Sequence, residues 1–160
     1  MSMPLEQLHR NMHAAVNFST QHVARGGLPF VGAVADGSGI ISRLGVNEVH
    51  ETGDPSAHAE IVAMRDALST RGRKTLDGTF LLATGEPCGL CYRFAIDHGI
   101  HTIYTAVDRD AVAVFGFDYR ASYRTMRIND SLRDRMLHHL PTTNAHEPVS
   151  YTHLRAHETD

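Results

Sequence analysis

The hydrophobic positions along this chain recur first at helical and then at strand-like spacing. From Leu5 to Ala24 the apolar residues follow a helical period, and Arg25 followed by two glycines closes the segment. This pattern predicts an opening amphipathic helix. Residues 29–35 and 40–46 then form two short apolar runs separated by a Gly-rich tetrapeptide, which predicts two strands joined by a tight turn.

The second half of the pattern alternates helices and strands. Residues 61–68 and 92–98 have helical spacing, whereas residues 79–83 and 101–106 are short apolar runs of the kind that form strands. Strands that alternate with helices after an initial hairpin are typical of a layered α/β domain with a mixed sheet. We therefore predict an α/β fold.

Length and charge narrow the possible organisation and partners. The chain has 160 residues, which is long enough to form one sizeable core. Its formal net charge of −3 supplies no large positive field. A nucleic-acid partner would need a local basic patch. The first ten residues have no continuous apolar run, and no stretch of about 18 apolar residues occurs, so we expect no export signal and no membrane span.

The segment from residue 118 onward is rich in charges of both signs. Three aspartates, Asp118, Asp130 and Asp134, are interleaved with the arginines Arg120, Arg124, Arg127, Arg133 and Arg135. A solvated helix face laced with opposite charges is the favoured interpretation, and a nucleic-acid contact strip is the alternative.

The last residues have a different character. Residues 149–160 resemble a translated sequencing-library adapter. We therefore expect a single domain over residues 1–148 followed by a non-native tail, with the natural C-terminus missing or replaced.

Two cysteines and one histidine carry the strongest chemical signal. Cys88 and Cys91 are the only cysteines, and their spacing suits metal or redox use in a reducing compartment better than a structural disulfide. With His58 they supply three ligands of the kind that zinc prefers and leave a fourth position open for water. The alternative, a structural metal site, would need another histidine because structural zinc usually takes four protein ligands.

The spacing of His58 and Glu60 constrains the local structure. Two residues apart inside a helix, these side chains would face opposite ways. We therefore predict that His58 stands at the very start of its helix, after the cap-type residues Asp54 and Ser56. Glu60 then points at the same pocket and can transfer protons. The alternative is that it only supplies favourable charge at a helix N-terminus.

These residues carry a family resemblance. The combination His58-Ala59-Glu60 and Pro87-Cys88-Gly89-Leu90-Cys91 resembles the signature of the zinc deaminases in the cytidine-deaminase superfamily. Residues 54–65 together with 86–88 resemble the branch of guanine deaminases, fungal-type cytosine deaminases and tRNA adenosine deaminases.

The resemblance leans towards one member of that branch and has departures. Residues 29–34, Asn47 and residues 116–118 are most similar to guanine deaminases. Gly89 and Tyr92 depart from the typical pattern of guanine deaminases, as does the chain beyond Tyr123.

The resemblance implies a fold and a reaction. The expected fold is a three-layer α/β/α sandwich with a mixed central sheet, in which Zn²⁺ lies between the starts of two helices. The expected reaction is hydrolytic deamination of a nucleobase or related aminated heterocycle, guanine being the first choice, with Glu60 as the catalytic residue. Three alternatives stay open: a cytosine- or nucleoside-type deaminase, a tRNA adenosine deaminase, and a non-catalytic zinc-binding module.

The resemblance also implies substrate contacts and partners. Asn47, Phe30, Asp118 and the backbone of Ala59 are the expected substrate-binding groups. For the first three the alternatives are an ordinary turn asparagine, a strand-core phenylalanine and a surface-loop aspartate. The implied state is a cytoplasmic homodimer that acts on a small molecule, without a nucleic-acid or membrane partner.

Overall fold

The computed structural model describes residues 3–158, in which helices cover both faces of a six-stranded sheet. The strands are β1 (Val31–Asp36), β2 (Gly39–Ile40), β3 (Gly45–Val46), β4 (Phe80–Gly85), β5 (Ile103–Val107) and β6 (Leu137–His139). The helices of the described residues are α1 (Leu5–Ala24), α2 (Val49–Thr52), α3 (Ala59–Thr70), α4 (Gly89–Asp97), α5 (Arg109–Val114), α6 (Ala121–Thr125), α7 (Asp130–Met136) and α8 (Glu147–Glu158).

The sheet is mixed, as predicted. Its strand order is β2-β1-β4-β5-β6, with β3 also paired to β1. Strand β1 runs antiparallel to β2, β3 and β4, whereas β4, β5 and β6 are parallel to one another. The predicted strand over residues 40–46 is divided into β2 and β3. Between them Ser42 Oγ accepts a hydrogen bond from the Val34 backbone N–H at 2.9 Å, in place of a backbone acceptor.

Alternation along the strands separates two apolar cores. Val34 of β1 packs in the core beneath α3 and α4, while its neighbours Ala33 and Ala35 pack in the core beneath α1. Leu81 and Leu82 of β4 divide in the same way. Because successive strand residues point to opposite faces, one apolar run supplies both cores. The expected three-layer α/β/α sandwich is therefore confirmed.

Two glycines bring the start of α3 onto the sheet. A Cβ at Gly32 of β1 would lie 2.7 Å from Glu60 Cα, and a Cβ at Gly45 of β3 would overlap the carbonyl oxygen of Ala59. Any side chain at either strand position would push the helix away. The close approach fixes Glu60 directly above β1.

The C-terminal part contains elements that the pattern did not predict. Strand β6 extends the sheet beside β5, although only Leu137 of its three residues is buried. Helix α8 packs against α1, and Val149 at its start is buried. The non-native origin of residues 149–160 stays a prediction, and residues 159–160 lie outside the described range. Within that range no helix is both long and apolar enough to cross a membrane.

Candidate active site

The starts of α3 and α4 bring three metal-ligand side chains together. His58 and Cys88 each occupy the extended residue that precedes a helix, and Cys91 lies in the first turn of α4. His58 Nδ1 is 3.4 Å from Cys88 Sγ and 3.5 Å from Cys91 Sγ, and the two sulfur atoms are 3.6 Å apart. The prediction that His58 precedes its helix is confirmed.

These separations suit a tetrahedral zinc ion. Zinc–sulfur bonds of about 2.3 Å and zinc–nitrogen bonds of about 2.0 Å, at tetrahedral angles, place ligand atoms roughly 3.5–3.8 Å apart. Within the described residues, His58, Cys88 and Cys91 are the one group of at least three such side chains that could hold a metal ion. The donor set and its spacing therefore fit zinc with one position left for water or substrate.

The charge state of the two thiols also suits a cation. The hydrogen bond with Cys91, with a further one to His58, lowers the pKa of Cys88 to about 4. The same contact with Cys88, together with burial, raises the pKa of Cys91. The hydrogen bond with Cys88 raises the pKa of His58. One thiolate is thus formed before any metal binds.

Glu60 lies beside this group. It belongs to the first turn of α3 and is only 5% exposed. Its Oε2 atom accepts a hydrogen bond from the Cys91 thiol at 3.5 Å. Burial, with repulsion from the Cys88 thiolate, raises the pKa of Glu60 to about 7. The carboxyl group can therefore accept and release a proton near neutral pH.

A cavity of about 160 Å³ opens onto the ligand group. Its walls combine metal-site residues with apolar and polar side chains from other parts of the chain. They are Leu28, Phe30, Asn47, His58, Ala59, Glu60, Glu86, Cys88 and Tyr119. A recess of this size suits a planar heterocycle presented edge-on to the metal ligands.

Sequence comparison places this arrangement in a family. Residues 5–107 match the family model described as the cytidine and deoxycytidylate deaminase zinc-binding region. The chain belongs to this deaminase family.

Individual relatives agree with that assignment. Guanine deaminase of Bacillus subtilis is 34% identical over 111 residues, which cover 69% of this chain and 70% of that protein. The tRNA(Ile)-lysidine synthase of Deinococcus radiodurans is 32% identical over 117 residues, covering 72% of this chain. This chain spans only 20% of the length of the synthase.

Solved structures show the same fold. The structure of guanine deaminase from Nitrosomonas europaea superposes with a TM-score of 0.70 at 25% identity. The superposition covers 100% of this chain and 87% of that one.

Asn47 and Phe30 both line the cavity, and each also has a structural role. Asn47 follows β3, and its Oδ1 accepts a hydrogen bond from the Val49 N–H at 3.0 Å. That bond leaves the amide NH₂ of Asn47 able to donate into the cavity. Phe30 packs edge-on against Phe117, with ring centroids 5.2 Å apart. Asn47 is thus both a turn residue and a cavity residue, and Phe30 both packs against a neighbouring ring and lines the cavity.

Asp118 lies elsewhere. Its side chain is exposed and forms an ion pair with Arg120 at 2.8 Å. Hydrogen bonds from Arg120 lower the pKa of Asp118 to about 2. Asp118 does not line the cavity, so the structure does not bring it to the metal ligands.

Glu86 has a larger role than the sequence indicated. Its carboxylate is fully buried and accepts five hydrogen bonds. The donors are the hydroxyl groups of Tyr92 and Tyr123, the Arg109 backbone N–H, and two nitrogens of Arg133.

Residues of α6, of α7 and of the segment just before α6 hold the loop that leads into α4. Tyr119 donates to the Glu86 carbonyl, and Tyr123 donates to the Pro87 carbonyl at 2.5 Å. Arg133 pairs with Glu86 at 2.6 Å with only 15% of its side chain exposed. The favoured prediction of a solvated charged face is therefore wrong for Arg133. No local pattern distinguished it from the neighbouring arginines.

The two departures from the guanine-deaminase pattern belong to this same support. A Cβ at Gly89 would overlap the carbonyl oxygen of Ser122 in α6, and the Gly89 N–H donates to Ser122 Oγ at 2.8 Å. Tyr92 donates to Glu86 at 2.8 Å. Neither residue lines the cavity, so both departures concern how α6 packs on α4.

Proposed function

We propose that this chain is a zinc-dependent hydrolytic deaminase of a nucleobase or a related aminated heterocycle, with guanine as the first choice of substrate. The observation that carries the proposal is the position of the Glu60 carboxylate, buried against the Cys91 thiol at the wall of a heterocycle-sized cavity. A proton carrier, a three-ligand metal site and a substrate recess therefore meet at one point.

The chain's residues have separate tasks in this reaction. Zinc held by His58, Cys88 and Cys91 would lower the pKa of a coordinated water to about 7. Glu60 takes a proton from the attacking water as a C–O bond forms at the amino-bearing ring carbon, and delivers it to the adjacent ring nitrogen. Glu60 then carries the second proton of that water to the departing amine, the C–N bond breaks, and ammonia leaves.

Other groups orient the ring. The NH₂ of Asn47 can donate to a ring or carbonyl acceptor of the substrate, and Phe30 covers the cavity with an apolar face. The first N–H groups of a helix lack intrahelical acceptors, so the Ala59 N–H is available to the negative charge that develops during attack.

Substrate size and charge favour a free base. The cavity holds about 160 Å³, and the chain carries a net charge of −3. A similar protein from Bacillus subtilis is named guanine deaminase, which supports guanine as the first choice. Cytosine- and nucleoside-type substrates, and adenosine in tRNA, are the alternatives within the same chemistry.

An ammonia-release screen tests the proposal. Zinc-loaded protein is incubated with guanine, cytosine, adenine, their nucleosides, and aminated triazines and pterins, with Glu60→Gln as the matched blank. We expect guanine to give the highest kcat/KM. A chain that binds zinc and releases no ammonia from any of these compounds is a non-catalytic module, which would refute the proposal.

A tRNA substrate would correct the substrate assignment alone. If tRNA is deaminated better than guanine, and if its turnover falls steeply with salt as expected for several phosphate contacts, the enzyme class stands and the guanine choice fails.

We place the reaction in the cytoplasm, because both cysteines must stay reduced to ligate metal. A homodimer is proposed from the family resemblance alone, and sedimentation at several concentrations measures it.

A further inference from the structure

A second depression, of about 590 Å³, lies among α5, α6 and α7. We call it the arginine groove, because its walls include four arginines, Arg109, Arg120, Arg124 and Arg127, and only two acidic residues, Asp110 and Asp130. It shares no lining residue with the active-site cavity. The groove is therefore separate from the active-site cavity.

The charges in the groove are not balanced. Arg109 pairs with Asp130 at 3.1 Å, and Arg120 pairs with Asp110 at 3.1 Å. Arg124 and Arg127 are exposed, and their side chains make no hydrogen bond or ion pair with another described residue. Two guanidinium groups thus face the groove without a counter-charge.

The backbone at Arg127 is held in a costly conformation. Its φ is 58°, which makes it the one non-glycine residue with a positive φ in the described part of the chain. Glycine fits that region best, and other residues there are strained. Arg93 fixes the turn by donating to the carbonyls of Met126 at 2.8 Å and Arg127 at 3.2 Å. An arginine therefore stands at a position whose backbone conformation glycine would adopt at a lower free-energy cost.

The wall formed by Arg109 is rigid. Its guanidinium carbon lies 4.5 Å from the centroid of the Tyr123 ring, and its Nη2 is held by Asp130. The Nε atom is buried and has no acceptor among the described residues. An unsatisfied buried donor is costly, and this one marks a guanidinium whose position is fixed by its stacking and its ion pair.

We propose that the arginine groove binds phosphate groups. Guanidinium forks match phosphate oxygens in both charge and geometry, and the prearranged Arg109 lowers the entropy cost of binding. The phosphate can belong to a small phosphate ester such as a nucleotide or to the backbone of RNA, and the shared chemistry is the same. The favoured prediction of opposite charges on a solvated face holds for Arg120 with Asp118, whereas Arg124 and Arg127 supply the unpaired cations of the proposed phosphate site.

Calorimetric titration with inorganic pyrophosphate tests the site. The zinc-loaded parent is compared at about 50 mM salt, where screening is modest, with the double variant Arg124→Gln/Arg127→Gln. The matched control is Arg10→Gln/Arg25→Gln, which removes the same charge from exposed positions outside the groove. We expect parent and control to bind equally and the groove variant to lose at least about tenfold in affinity.

A second arm distinguishes the two sources of phosphate. A short oligouridylate that binds no more tightly than pyrophosphate assigns the groove to small phosphate esters. Tighter binding with a steep salt dependence that the groove variant loses assigns it to RNA.

A single variant separates lost binding from lost folding. Arg127→Gly removes the cation while relieving the backbone at φ 58°, so it should bind pyrophosphate more weakly and unfold at the same or a higher temperature. Absence of binding to either probe, or an equal loss in the control variant, would overturn the proposal.

Discussion

Glu60 and Glu86 are both buried carboxylates at the wall of the same cavity, yet their surroundings are opposite. Glu60 receives a hydrogen bond from the Cys91 thiol and pairs with no arginine in the described part of the chain. Glu86 is saturated by two tyrosine hydroxyls, a backbone N–H and the Arg133 guanidinium. A carboxylate that must move protons keeps acceptor capacity open, whereas one that supports a loop has none to spare.

The largest expected effect is on turnover, from Glu60→Gln. The amide keeps the size of the side chain and removes the proton carrier, so ammonia release should fall by at least about 10²–10⁴-fold. Zinc content and melting temperature should stay close to those of the parent, because Glu60 has no ion-pair partner to lose. If the variant kept more than roughly a tenth of the parental turnover, the loss would be far smaller than that range. Such a result would remove Glu60 from the mechanism.

Arg133→Met should act on stability instead. Removing one partner of a buried ion pair leaves the Glu86 charge without its counter-ion and costs about 3–5 kcal/mol. The neighbouring Arg135→Met is the matched control, since Arg135 is exposed and should cost less than about 0.5 kcal/mol. Urea unfolding of the zinc-loaded proteins measures both, and equal stabilities would show that Glu86 does not need Arg133.

Tyr92→Phe removes one of the five hydrogen bonds to Glu86 without changing the shape of the core. A hydrogen bond to a charged group is worth about 1.5–3 kcal/mol, so the loss should be smaller than for Arg133→Met. Tyr151→Phe changes an exposed tyrosine and should leave the free energy of unfolding unchanged. A catalytic defect in Tyr92→Phe without loss of stability would mean that Glu86 also takes part in the reaction.

Asn47→Ala should have a smaller effect, on substrate binding. One donor to the substrate is lost, which raises KM by about tenfold for a bond worth about 1.4 kcal/mol. Asp118→Ala, whose side chain is exposed and outside the cavity, should leave KM within about twofold, since exposed substitutions away from a site have small effects. Steady-state kinetics with guanine measure both variants, and the reverse order would give Asp118 the substrate contact.

Much of the fold and the metal site could be predicted because the signals are local. Helices α1, α3 and α4 follow from apolar periodicity, and the ligands follow from two short motifs, each at the start of a helix. The geometric conflict between His58 and Glu60 inside a helix was enough to place the start of α3.

The support around Glu86 could not be predicted, because its partners are far away in sequence. Arg133 is 47 residues from Glu86 and stands among arginines of the same pattern. Between β2 and β3 a side-chain oxygen, Ser42 Oγ, accepts the hydrogen bond from the Val34 N–H, and no apolar pattern signals such a contact. Strand β6 has only three residues, two of which are histidines, so no alternation of apolar and polar positions could be detected.

Metal titration tests the central claim most directly. Protein stripped of metal by a chelator is titrated with Zn²⁺ while ammonia release from guanine is followed. The account predicts that turnover rises linearly to one zinc per chain and then stays constant, and that Glu60→Gln takes up the same single zinc without turnover. Activity in the stripped protein, or full zinc uptake and turnover in Cys88→Ala, would contradict it.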